Sequence, residues 1–217
     1  MLFQDRVDAG RRLAAELEGY RGRNLLVLGI PRGGVAVAFE VARALNAPLD
    51  VTVARKVPAP DNPELAIGAV AADGTVVMDP LAAAYPGINP EYVSRAVADE
   101  VEEIHRRLAA YRGDRPPADP SGRTTILIDD GIATGNTVLA TLRMLRKRDP
   151  LELIVAVPVA PPMVVDRLRR DADRVVTLAT PEDFIAVGQW YRDFSQLSDD
   201  EVVSLLELAR GWGTTRH

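Results

Sequence analysis

Two adjacent carboxylates, Asp129 and Asp130, end an apolar run and lead at once into a loop of glycines and hydroxyls, in the stretch ILIDDGIATGNT at 126–137. Residues 124–128 read as a strand and a helix is expected from about Asn136 or Thr137, so the loop joins a strand's carboxyl end to a helix's amino end. The unpaired N–H groups and positive dipole end of such a helix favour an anion. Gly131 and Gly135 permit close backbone approach or positive φ, and Thr134 and Thr137 add hydroxyl donors, which suits a phosphate monoester. The acids answer a different need. They would repel the phosphate itself, yet they can accept hydrogen bonds from the vicinal hydroxyls of a ribose joined to it. Together the two halves describe a sugar 5-phosphate pocket.

Competing readings of the same stretch fit less well. A triphosphate-binding loop requires GxxxxGK[ST], and no lysine follows Gly135. The dinucleotide fingerprint GxGxxG is absent both here and at GIPRGG, 29–34. An ordinary capped turn would not need two acids, two glycines and two threonines within the nine residues DDGIATGNT.

The wider composition narrows the chemistry. The 217 residues, 47% of them apolar, can bury the core of one α/β domain spanning 1–217 and carrying an insertion. There is no cysteine, and the two histidines, His105 and His217, do not make a His-rich metal centre. Asp, Glu, Lys, Arg and hydroxyl groups must therefore do the work. The net charge of −5 is spread without a long like-charge block, which argues against a nucleic-acid partner or a membrane surface. The amino-terminal stretch is charged from position 5 and no apolar run approaches ~20 residues, so the expectation is a soluble cytoplasmic protein.

The elements that must position these groups alternate. DRVDAGRRLAAELEGY reads as an amphipathic helix, NLLVLGI as a strand, GGVAVAFEVARALN as a helix and LDVTVARKV as a strand. The rhythm then breaks: PAPDNP is a loop, LAIGAVAADGTVVM two short strands about an Asp-Gly turn, and PEYVSRAVADEVEEIHRRLAAYR a long helix with proline at its start. After the loop GDRPPADPSGR it resumes with TTILID, NTVLATLRMLRKR, LELIVAVPV, PPMVVDRLRRDA and DRVVTLA. Alternating strands and helices predict a parallel sheet of about five strands covered on both faces. Ligands of such sheets gather at the carboxyl ends of strands. Three ends stand out: GIPRGG, ARKVPAP at 54–60, and the acid loop.

The stretch Thr125–Thr137 resembles the phosphoribosyl pyrophosphate (PRPP) signature of the type I phosphoribosyltransferases: apolar strand, two acids, short loop, then Thr-Gly-x-Thr. The resemblance implies that Asp129 and Asp130 hold the ribose and contact magnesium through water, while Ala133, Thr134, Gly135, Asn136 and Thr137 hold the 5-phosphate and Gly131 is substrate-binding. Gly131 stands where a branched residue is common, and Asn136 where a small one is usual. PRGG resembles the family's pyrophosphate loop, with Arg32, Gly33 and Gly34 facing the leaving group and Lys56 reaching it from the end of its strand. The insertion, about Pro58 to Arg123, takes the place of the family's mobile loop and could close over the site.

The resemblance also implies a carboxyl-terminal hood, about 180–217, over the base. PEDFIAVGQWYRDFSQL packs four aromatics into eleven residues of a chain that is 5% aromatic, and Phe184, Trp190 and Tyr191 are the base-contact candidates. The implied activity is transfer of the phosphoribosyl group to a nitrogenous base, purine favoured, with magnesium as cofactor, pyrophosphate as leaving group and a homodimer as the assembly. The alternative from another class is a non-catalytic regulator of the same fold that binds PRPP or a nucleotide. His105 reads as a surface residue of the long helix, and Arg143–Arg148 as cations complementing a helix carboxyl end.

Overall fold

The branched apolar runs become the strands of one parallel sheet in the computed structural model, which describes residues 3–80, 82 and 85–213, the Glu64 side chain excepted. These strands are β1 (Leu25–Gly29), β2 (Leu49–Val51), β6 (Thr124–Ile128), β7 (Glu152–Val159) and β8 (Arg174–Ala179), in the order β2-β1-β6-β7-β8. All four neighbouring pairs are parallel. Alternation of side chains sorts the core. Val27, Ile126, Ile128 and Ile154 face α1 (Arg6–Glu16) and α2 (Gly33–Leu45), while Leu26, Leu28, Leu127 and Val155 face α4 (Asn136–Arg146) and α5 (Pro162–Leu168).

Residues 54–112 form the insertion. β3 (Ala54–Ala59), β4 (Asn62–Ala71) and β5 (Val76–Met78) make an antiparallel sheet, β4 and β5 meeting at the Asp-Gly turn, and α3 (Pro90–Arg112) covers it. Asn89 caps α3 by accepting from Tyr92 N, with proline in the first helical turn.

LDVTVARKV, expected as one strand, is two. β2 stops at Val51, where the Thr52 N–H turns to the Gly29 carbonyl at 3.0 Å, and β3 then leaves the parallel sheet with Arg55 paired to Glu100 of α3. Buried Asp50 fixes the departure, since its carboxylate takes Arg112 Nε at 3.0 Å and the Ala118 N–H at 2.9 Å. Lys56 therefore lies inside β3 and not at the end of a parallel strand.

The tail expected as a hood divides in two. Residues 180–197 stay over the carboxyl ends of the strands, while α6 (Asp199–Leu208) returns to α2 and α3 and buries Val202 and Leu206 there. Residues 214–217 of that segment lie outside the described residues. Among the described residues no helix is long and apolar enough to cross a membrane. A capping box holds the start of α6: Ser198 Oγ accepts the Glu201 N–H, and the Glu201 carboxylate accepts the Ser198 N–H. Ser198→Ala should cost about 1 kcal/mol, measured by denaturant unfolding, and an unchanged midpoint would show that α6 needs no cap.

Candidate functional site

The sheet reverses its winding between β1 and β6, whose last residues Gly29 and Ile128 are register partners. The two loops leaving that switch point, 30–32 and 129–135, open side by side. Their contact depends on two missing side chains. A Cβ at Gly33 would stand 1.8 Å from Asp130 Oδ2, and one at Gly34 would stand 2.8 Å from Asp129 Cα. The paired glycines thus let α2 begin directly against the paired acids, and two stretches nearly a hundred residues apart form one surface.

Asp130 is held from three sides. Arg6 Nε donates to its Oδ2 at 2.8 Å, the Tyr191 hydroxyl donates to its main-chain carbonyl at 2.5 Å, and its own N–H donates to Asp129 Oδ1 at 2.9 Å. Arg6 also donates to the Ser195 carbonyl at 2.8 Å and lies 4.0 Å over the Phe194 ring, tying the acids to the tail. Burial pushes the Asp129 carboxyl well above its ordinary range, and the charge of Asp130 pushes it the same way. Burial raises Asp130 as well, with the Arg6 guanidinium opposing it.

The start of α4 borders the same loop. Gly135 is left-handed at φ 79° and no side chain caps the helix, which leaves the first-turn N–H groups facing the loop. Ala133 and Thr134 are exposed, and Thr137 is half-buried. The Asn136 Oδ1 accepts from Arg167 Nη1 of α5 at 2.7 Å, and the same nitrogen reaches the Thr134 carbonyl at 3.3 Å. Arg167 thus holds the Asn136 Oδ1 and braces the loop from behind. Gly131 has its own reason, for a Cβ there would stand 2.5 Å from Val187 of the 3₁₀ turn Val187–Trp190. The tail sits on the loop because position 131 has no side chain.

Lys56 pairs across β3–β4 with Ala69, so both project to the same face, and Ala69 packs there in one cluster with Ile30, Ile132 and Val138. That face carries both loops. Lys56 is exposed and makes no ion pair among the described residues. Arg32 is also free to move, with its side chain 41% exposed and 3.9 Å from Asp199. Of the three aromatics, Tyr191 is turned inward, buried between Phe3 and Phe194 with its hydroxyl committed to Asp130. Phe184 and Trp190 are half-buried and stacked at 6.3 Å, and the Trp190 Nε1 has no acceptor. Among the described residues no group of three or more acids or histidines could hold a metal alone.

Sequence reasoning did not find Arg6 or Arg167. Both are arginines on amphipathic helices, indistinguishable in sequence from solvated ones.

Asp129→Asn keeps the acceptor for the Asp130 N–H while removing a charge that burial disfavours. At pH 8 the variant should melt about 2–4 °C above the wild type, the response to ~1 kcal/mol in a domain of this size. The folded value lies above the ordinary 3.8, so the wild type keeps its full stability below that value and loses it as pH rises through the folded value. Melts at falling pH should bring the two proteins together. A difference that is independent of pH would remove the buried charge from the explanation.

A family model described as phosphoribosyl transferase domain matches residues 3–194. Proteins from two strains of Mycobacterium tuberculosis, named as proposed phosphoribosyl transferases, are 46% identical over 213 residues, covering 96% of this chain and 47% of theirs. The chain thus spans about half the length of these curated relatives. A crystal structure of TT1426 from Thermus thermophilus matches with a TM-score of 0.79 at 44% identity, covering 95% of this chain and 98% of that one.

Proposed function

The chain belongs to the phosphoribosyl transferase domain family, and from that membership and the site's geometry we propose that it transfers the phosphoribosyl group of PRPP to a ring nitrogen of a base, purine favoured. The observation that carries this reading is the contact of Gly33 and Gly34 with Asp129 and Asp130 beside the uncapped start of α4. This contact supports a reading in which the acid pair takes the ribose, the start of α4 the 5-phosphate and the loop at 30–34 the pyrophosphate.

The N–H groups of 134–137 and the Thr134 and Thr137 hydroxyls hold the 5-phosphate. Asp129 accepts from the ribose hydroxyls, and Asp130, with one oxygen committed to Arg6, offers the other. The C1–oxygen bond breaks with its electron pair leaving on pyrophosphate, a base nitrogen bonds to C1, and the base gives up a proton. Lys56 and Arg32 meet the charge that gathers on the leaving group. Two adjacent carboxylates suit magnesium, an ion that keeps waters and takes most ligands from substrate oxygens. When bound, it would neutralise pyrophosphate charge, with Asp129 and Asp130 contacting it through water. Phe184 and Trp190, stacked at 6.3 Å and half-buried, are the base platform.

The test is pyrophosphate release from PRPP with a panel of purines and pyrimidines. Release should require both magnesium and an acceptor base, with a purine giving the highest rate. Tight PRPP binding without turnover on any base would overturn the transferase reading in favour of a ligand-binding regulator.

A further inference from the structure

Arg167 is a half-buried cation of α5 that makes no ion pair among the described residues, whereas its neighbour Arg169 is paired with Asp166 at 2.8 Å. Its Nη1 donates instead to two uncharged oxygens, the Asn136 Oδ1 at 2.7 Å and the Thr134 carbonyl at 3.3 Å. A guanidinium offers donors only, so the amide oxygen of Asn136 must face it and the Nδ2 must face away. Asn136 is 6% exposed, and that Nδ2 donates to nothing among the described residues. Nor is it sealed in the core, where the buried side-chain atoms without a partner are Arg123 Nε, Thr125 Oγ1 and Trp190 Nε1.

The place of this amide gives its free donors a use. Asn136 is the first residue of α4, and side chains of a helix tilt toward its amino end, so the amide leans over the loop at 131–135. It meets there the first-turn N–H groups that no side chain caps. We propose that Arg167 is a positioning residue: by holding the Asn136 Oδ1 it keeps the Nδ2 turned to the loop, as a side-chain donor to a phosphate monoester at the start of α4. Without that hold the amide could turn over and present its oxygen, which repels phosphate. The proposal rests on the sugar 5-phosphate reading of the loop and adds to it a donor that the backbone does not supply.

The experiment is calorimetric titration of ribose 5-phosphate into the full chain and its variants, beside thermal melts. Arg167→Ala and Asn136→Ala should each weaken binding about tenfold, the worth of one hydrogen bond to a charged group. In the double variant the two losses should not multiply, because each substitution removes the same contact. Asn136→Asp keeps an oxygen for Arg167 and should keep the melting temperature, yet it replaces the donor by a charged acceptor and should bind ribose 5-phosphate about tenfold more weakly or worse. If Arg167→Ala does not fold, Asn136→Asp decides alone. Losses that multiply in the double variant, or an Arg167→Ala or Asn136→Asp protein that binds as wild type does, would each overturn the proposal while leaving the sugar-phosphate reading in place. A wild type that binds neither ribose 5-phosphate nor PRPP would overturn that reading and the proposal with it.

Discussion

Arg6→Ala should cost about 3–5 kcal/mol of folding stability, the penalty for leaving a buried carboxylate without its partner. The ion pair with Asp130 is at 2.8 Å with side chains 12% and 14% exposed, and the same guanidinium holds the Ser195 carbonyl and covers Phe194. One residue of the first helix thus joins the acid pair to the tail. A structural brace and a positioning residue can be told apart by pH. Arg6 opposes the upward push of burial on Asp130, so without it the carboxylate ionises only at higher pH. The pH at which PRPP binding reaches half its maximum should therefore move upward in Arg6→Ala and return toward wild type in Arg6→Lys. A purely structural role would lower the melting temperature and leave that profile in place. Calorimetry across pH, beside thermal melts, checks both.

Lys56→Ala should leave the fold intact and remove roughly 2–4 kcal/mol of transition-state stabilisation, the loss typical of deleting one contact to a developing charge. Lys56 is exposed on the face of β3 that packs against the loop residues Ile30 and Ile132, and it has no counter-ion among the described residues to hold it back. Pyrophosphate gains charge as its bond to C1 stretches, so a cation beside it is worth more in the transition state than in the bound donor. Turnover should consequently fall further than donor affinity. Arg32→Ala should show the same split, because its contact with Asp199 at 3.9 Å is too loose to bind the side chain there. Arg143→Ala, whose partner is Asp171 on an exposed helix end, should change neither quantity. Steady-state kinetics and donor calorimetry on the three variants test this. Equal behaviour of all three would place the leaving group elsewhere.

What was legible in the sequence was local. The apolar runs, the Asp-Gly turn and the proline at the start of the long helix each specify an element from a few neighbouring residues. What was hidden depends on residues far apart in the chain. Gly131 looked like a departure from a motif, and its reason is Val187, 56 positions away. Asn136 read as an anion contact, and the sequence did not show that Arg167, 31 positions away, holds its Oδ1. Tyr191 read as a base platform, but its hydroxyl and ring serve Asp130 and the core. The strand LDVTVARKV divided because Asp50, a charged residue in a buried strand, is satisfied by Arg112 from the insertion. That pairing leaves no periodicity to read. It also places Lys56 on a second sheet.

The most direct test of the central claim, that acids and loop form one pocket for a ribose carrying a phosphate, is calorimetric titration of wild type and Asp129→Asn with PRPP and magnesium, and separately with inorganic phosphate. The variant should lose about tenfold or more in PRPP affinity, the worth of one charge-assisted hydrogen bond of ~1.5 kcal/mol. Phosphate should bind both proteins alike, because the uncapped start of α4 is untouched. Equal losses for PRPP and phosphate, or PRPP binding that ignores the substitution, would contradict the account.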